Sequence, residues 1–257
     1  MILTVDIGNS RIKSASWLSD KIVDRGAVTY AKNNPWESID ELFSTLNAVS
    51  EEPPSRVLVV CVAEDEVSQA LHEWVKQHWR LDVEYLKTRK RYKNIINAYE
   101  DPQQHGADRW AGVVAGHLSF PDYSVCVIGA GTAITFDLID KNGQHLGGYI
   151  LPSYATMRTA LMADTAKVES IFSMQFHKHS IPDNTNDAVN QGLHKFIQAG
   201  IREICQSARD KMEDPMKIII TGGFAKTILD YPEMPVMHHE PDLVMQGLYN
   251  IMKQRKD

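Results

Sequence analysis

Cysteine is scarce in this chain. The 257 residues hold three, Cys61, Cys126 and Cys205, and no two form a CxxC pair. That excludes a disulfide framework and a thiolate zinc knuckle. Cys61 and Cys126 sit inside apolar runs, where a thiol serves as a small hydrophobe, and a reduced cytoplasmic setting follows. No run of about 18 apolar residues occurs, so no membrane-spanning helix is expected. The opening residues lack the basic-then-apolar layout of a secretory signal. Positive charge is also short: 27 Lys and Arg against 33 Asp and Glu leave a net charge of −6, which argues against general nucleic-acid binding. The phosphate-loop pattern GxxxxGK[ST] is missing. His177-Lys178-His179 and His238-His239 lack the further ligands of a zinc site, and the basic run Arg89 to Lys93 is short on a net-acidic chain. All three are expected to be solvated loops.

What is present is a soluble globular composition, 43% hydrophobic and 23% charged, at a length suited to two modest domains. A repeat organises it. MILTVDIGNSRIKSASW at the start and VCVIGAGTAITFDLID at 125–140 share one plan: an apolar strand, a turn of small residues, a second strand. Asp6, Gly8 and Asn9 align with Gly129, Gly131 and Thr132 at an offset of 129 − 6 = 123 residues. Between and after these hairpins, strand patterns at 56–62, 83–86 and 217–221 alternate with helical spacing at 36–46, 67–78, 108–118 and 187–212. Lys141-Asn142-Gly143 signals a hairpin turn, Pro152-Ser153 opens a helix, and a closing helix starts near Asp242. The pattern predicts an α/β fold of two duplicated halves. Pro121 marks the boundary, giving domains at 1–118 and 119–257.

Chemistry points first to the turns. A glycine-bearing strand–turn–strand lets backbone N–H groups converge on one anion. In DIGNSRIK, residues Asp6, Ile7, Gly8, Asn9, Ser10, Arg11, Ile12 and Lys13, the turn adds side-chain donors and a nearby cation. Asp6 is placed to hold magnesium through water. GAGT offers backbone donors and the Thr132 hydroxyl. A single turn of this kind reads better as an ordinary hairpin; the pair, facing one another across a cleft, would clamp the β- and γ-phosphates of a nucleotide. In NAYEDPQQHGADRW (97–110), Asp108 and Arg109 lie at a helix start, a site favourable to anions. From spacing alone Asp108 is either a helix cap or the base for an acceptor hydroxyl.

DIGNS, GADRW (106–110), GAGTAITFD (129–137), GGYILP (147–152) and ITGG (220–223) together resemble type III pantothenate kinases, of the actin-like acetate and sugar kinase superfamily. The resemblance implies two duplicated actin-like (ribonuclease H-like) domains with an interdomain nucleotide cleft. It also implies ATP- and magnesium-dependent phosphorylation of pantothenate, the first step of coenzyme A synthesis, by a cytoplasmic homodimer that uses neither nucleic acid nor membrane. By the same match Asp108 is the catalytic base. Tyr99, Gly106, Ala107, Asp108, Arg109 and Thr185 meet pantothenate, and Asp6 to Lys13 with Thr132 meet ATP. The plain reading of Thr185 is a surface residue at a helix start. Two positions depart from the family. Gly129 stands where an aspartate helps to hold potassium or ammonium, so that site is expected to be weakened, absent, or rebuilt from a carboxylate such as Asp137. Ser153 replaces a glycine and is expected to cap a helix. Loss of the aspartate raises an alternative, a non-catalytic ligand-binding or regulatory protein derived from such a kinase.

Overall fold

The computed structural model describes residues 1–31, 34–49, 52–163, 181–212 and 214–253; His177 to His179 lie outside them. The chain divides into two compact units, Met1–Ala115 with Asp242–Asp257, and Gly116–Pro241.

The first unit is built on a five-stranded sheet of β1 (Ile2–Ile7), β2 (Arg11–Leu18), β3 (Lys21–Thr29), β4 (Arg56–Cys61) and β5 (Val83–Tyr85), in the order β3-β2-β1-β4-β5. β1 runs antiparallel to β2 and parallel to β4. Strand alternation divides the side chains between two faces. Leu3, Val5 and Ile7 of β1 and Val57 and Val59 of β4 meet the apolar stripes of α1 (Pro35–Val49) and α2 (Asp65–Trp79), including Ile39, Phe43, Leu71 and Trp74. Each such fully buried side chain contributes roughly 1.5–3 kcal/mol over its exposed state, enough to fix the register. A one-residue slip would expose the whole set. Asp6 follows the opposite parity, as do Leu58 and Val60, which pack with Ala111 of α3 (Ala107–Ser119). The face that carries Asp6 is therefore the face that α3 covers. Before α3, β6 (Arg91–Tyr92) and β7 (Ile95–Ile96) form a small hairpin. The basic run expected as a loop thus contributes a strand, with Arg89, Lys90, Arg91 and Lys93 exposed.

The second unit repeats the plan. β8 (Ser124–Ala130), β9 (Ala133–Ile139), β10 (His145–Pro152), β11 (Met216–Thr221) and β12 (His238–His239) stand in the order β10-β9-β8-β11-β12, again with an antiparallel hairpin beside a parallel neighbour. Cys126, Ile128, Ile134, Phe136, Ile218 and Ile220 pack with α4 (Tyr154–Ala163), α5 (Thr185–Lys211) and α6 (Ala225–Leu229). The Cys126 and Cys205 thiols hydrogen-bond one another in this core, and none of the three cysteines is in a disulfide. His238 and His239 form the exposed edge strand β12 rather than a loop.

The last helix, α7 (Leu243–Met252), returns to the first unit. Leu248 and Met252 close over Leu58 and Val60, and Tyr249 stacks on Trp17 with ring centroids 4.1 Å apart. Gly247 lets its backbone meet that of α3: a Cβ there would lie 1.9 Å from the Ala111 carbonyl oxygen. Residues 242–253 group with the first unit because β4 has a second apolar face, on which α7 packs.

Candidate active site

The first turn, Gly8 to Ser10, is closed by the Gly8 N–H donating to the Arg11 carbonyl at 3.0 Å, and Tyr30 Oη donates to the Gly8 carbonyl at 2.8 Å. Asn9, Ser10 and Arg11 are exposed, so this end of the hairpin presents donors outward. Ile7 and Ile12 point into the core with no exposure; only their main-chain groups can meet a ligand. Asp6 is half-buried at the end of β1, directly across from Lys13 on β2. Burial pushes its carboxyl from the ordinary 3.8 up to about 6; Lys13 works against this rise and the charge of Asp108 adds to it. Asp6 and Asp108 thus feel one another although 102 positions separate them, because α3 lies on the Asp6 face.

At the start of α3 the Gly106 carbonyl accepts the first helical bond, from the Trp110 N–H at 2.9 Å, which makes Gly106 the cap. Asp108 instead uses Oδ1 to accept from the Arg109 N–H at 2.8 Å, satisfying one of the free donors of the first turn. Glycine at 106 makes room for it, since a Cβ there would lie 2.8 Å from that same Oδ1. Arg109 is 9% exposed, and its Nη1 donates to Tyr99 Oη at 3.2 Å. Tyr99, Asp108 and Arg109 are therefore gathered around one helix N-terminus, where the macrodipole also favours an anion.

In the second unit the turn of Gly131 and Thr132 is exposed and one residue shorter. The Gly131 N–H donates to the Ala133 carbonyl at 3.0 Å, and the Thr132 carbonyl accepts from Thr156 Oγ1 at 3.1 Å. Gly222, with φ +102°, comes so close to this strand that a Cβ would lie 2.3 Å from the Ala130 carbonyl oxygen. Gly129 sits opposite Thr135 of β9, whose Oγ1 would be 2.6 Å from a Cβ at 129. Asp137, two residues farther along β9, is 1% exposed and accepts from His145 Nε2 at 3.2 Å. Ser153 begins α4: its carbonyl accepts from the Met157 N–H and its Oγ from the Thr156 N–H. Thr185 is exposed at the start of α5, behind the cap Asn184.

Sequence reasoning missed three residues that hold these groups. Tyr30 pins the first turn, and Asn97 and His105, both without exposure, lie behind Tyr99. None belongs to a pattern whose spacing names a chemistry.

A family model described as type III pantothenate kinase matches residues 2–207. A type III pantothenate kinase from Nitrosococcus oceani is 34% identical over 98% of this chain and 94% of its own length. Among solved structures, the activator of 2-hydroxyisocaproyl-CoA dehydratase from Clostridium difficile, with bound ADPNP, is similar at TM-score 0.54 and 12% identity, covering 100% of this chain and 98% of that one. An inorganic polyphosphate/ATP-glucomannokinase from an Arthrobacter species is similar at TM-score 0.51 and 15% identity, covering 99% of each chain. At such identities the structures speak for the fold alone, that of duplicated actin-like domains. The match to the family's own model and to a relative of nearly equal extent carries more: the chain belongs to the type III pantothenate kinase family.

Proposed function

We propose that the chain transfers the γ-phosphate of ATP to the primary hydroxyl of pantothenate, giving 4'-phosphopantothenate, as a cytoplasmic homodimer in the first step of coenzyme A biosynthesis. One observation carries the reading. A carboxylate at the end of a phosphate-turn strand, Asp6, senses the charge of a second carboxylate, Asp108, which lies beside an arginine and a tyrosine. Phosphoryl transfer needs this division: one acid toward the nucleotide and its metal, the other toward the alcohol.

The ATP set is Asp6 to Lys13 with Thr132; the pantothenate set is Tyr99, Gly106 to Arg109 and Thr185. Asp108 accepts or guides the proton leaving the hydroxyl as the oxygen attacks phosphorus, and Arg109 offsets negative charge on the acceptor or the transferred group. A divalent cation suits the residues present. Asp6 is a hard oxygen donor whose charged form is penalised by burial and by Asp108, and a nearby cation relieves both effects. Magnesium held through water by Asp6 would supply positive charge to the phosphate oxygens. A monovalent cation fits less well at Gly129, which itself offers no side-chain ligand and leaves the Thr135 hydroxyl in the space a Cβ would take.

The test is ADP formation from ATP and magnesium, with and without pantothenate, beside a panel of other small alcohols. Pantothenate-dependent turnover well above the other acceptors supports the reading. Nucleotide binding without conversion on any acceptor, under varied cations, would overturn it in favour of a non-catalytic protein.

A further inference from the structure

Behind Tyr99 lies a polar chain that the proposed chemistry does not use. Asn97 and His105 are both fully buried. The Asn97 amide is oriented without ambiguity: its Oδ1 accepts from the Tyr99 backbone N–H at 3.0 Å, so its Nδ2 faces His105 Nδ1 at 3.1 Å. An amide nitrogen can only donate. Nδ1 is therefore the acceptor, and the proton of the neutral imidazole sits on Nε2. The main chain of His105 is held as well, its carbonyl accepting from Thr88 Oγ1 at 2.8 Å. The imidazole lies flat against Tyr99, with ring centroids 4.8 Å apart and planes 9° from parallel. Tyr99 in turn meets the Arg109 guanidinium, which stands 5.9 Å from the ring centre and donates to Oη. Lys90 Nζ donates to the Tyr99 carbonyl at 2.8 Å and fixes the backbone from the other side.

We infer that His105, in the Nε2–H tautomer set by Asn97, is a positioning residue that fixes the ring of Tyr99 and, through it, Arg109 for the acceptor. A tyrosine ring has two soft torsions, and a parallel face at stacking distance removes the freedom that binding would otherwise have to remove. The role concerns the acceptor, because Asn97, His105 and Lys90 each contact Tyr99, and Tyr99 meets Arg109. The inference rests on the reading of Tyr99 and Arg109 as pantothenate contacts.

Three variants and one spectrum test it. In His105→Leu, which removes the flat face, KM for pantothenate is expected to rise about tenfold or more, with KM for ATP and kcat within about threefold of the parent. His105→Phe keeps a face but loses the Asn97 bond, and an intermediate rise is expected. Asn97→Ala is expected to resemble His105→Phe. A pantothenate KM within twofold of the parent in folded His105→Phe and His105→Leu would overturn the role, as would an equal rise in both substrates' KM. If His105→Leu fails to fold, His105→Phe and Asn97→Ala decide. Independently of any substrate, 15N spectra of the imidazoles, with His105→Phe assigning the resonance, are expected to show Nδ1 bare and Nε2 protonated; a protonated Nδ1 would overturn the tautomer. Parent enzyme inactive on pantothenate but bearing the expected tautomer would instead count against the substrate reading alone.

Discussion

Strands β1 and β8 occupy the same place in two sheets of the same strand order, each with an antiparallel partner on one side and a parallel one on the other. Their ends differ in kind. β1 carries Asp6 opposite Lys13; β8 carries Gly129 opposite Thr135. In the first unit a half-buried carboxylate bears a desolvation penalty that raises its pKa, as a group used for chemistry often does. In the second, the hydroxyl of the facing strand occupies the volume beside Gly129. The hydrogen-bonded frame is the same in both units, and a carboxylate stands at this place in one of them only.

Substitutions in either unit test that contrast. The largest effect is expected from Asp108→Asn, the acid whose charge reaches Asp6: turnover should fall by about 10³-fold or more, with an unchanged melting temperature showing that the fold survives. Activity within tenfold of the parent would remove Asp108 from the base role. Asp6→Asn should abolish magnesium-dependent turnover while making the protein more stable. The folded carboxyl is raised from 3.8 to about 6, so between these values the folded state holds the extra proton and the parent loses stability as pH rises through them. The gain from Asp6→Asn should be small at pH 4 and reach the order of 2–3 kcal/mol above pH 6, read from denaturant melts across that range. A gain that does not grow with pH would mean the carboxyl is not raised. Gly129→Asp is expected to cost about 1–2 kcal/mol, since the new Cβ meets Thr135 Oγ1; Gly129→Asp with Thr135→Gly should recover part of it, a non-additivity that melts of the four proteins would reveal. Smallest of all should be the response of the parent to potassium, less than about twofold in turnover at fixed ionic strength. Strong saturable activation would show that ligands other than a side chain at 129 hold the ion.

The contrast was legible in the sequence because both hairpins are local. Alternating Leu3, Val5 and Ile7 and the run Arg56 to Val60 announce strands wherever they fall, and Gly131 and Gly8 mark the turns. β3 was missed because its turn, Ser19 and Asp20 at φ 49° and 65°, reaches a left-handed bend without the glycine that usually signals one. Helix α7 is legible as a helix from its spacing, but its packing partner is not. Its stripe of Leu248 and Met252 says that something covers it, and nothing in the spacing says that β4 does. The grouping of Asp6 with Asp108 needed strand parity and the placement of α3, neither of which a motif encodes. Asn97 and His105 had no signal at all; a single asparagine and a single histidine near a helix start are commonplace, and only the direction of one amide gives them meaning.

The order in which these parts are made matters as well. Residues 242–253 leave the ribosome after the entire second unit, yet they pack over Leu58 and Val60, and residue 242 follows residue 60 by 242 − 60 = 182 positions. During synthesis the early sheet must wait with this apolar side covered only in part, by α3, whereas Gly116–Pro241 is contiguous and has its partners to hand. The half that bears the acids should therefore be the last to become protease-resistant on a translating chain.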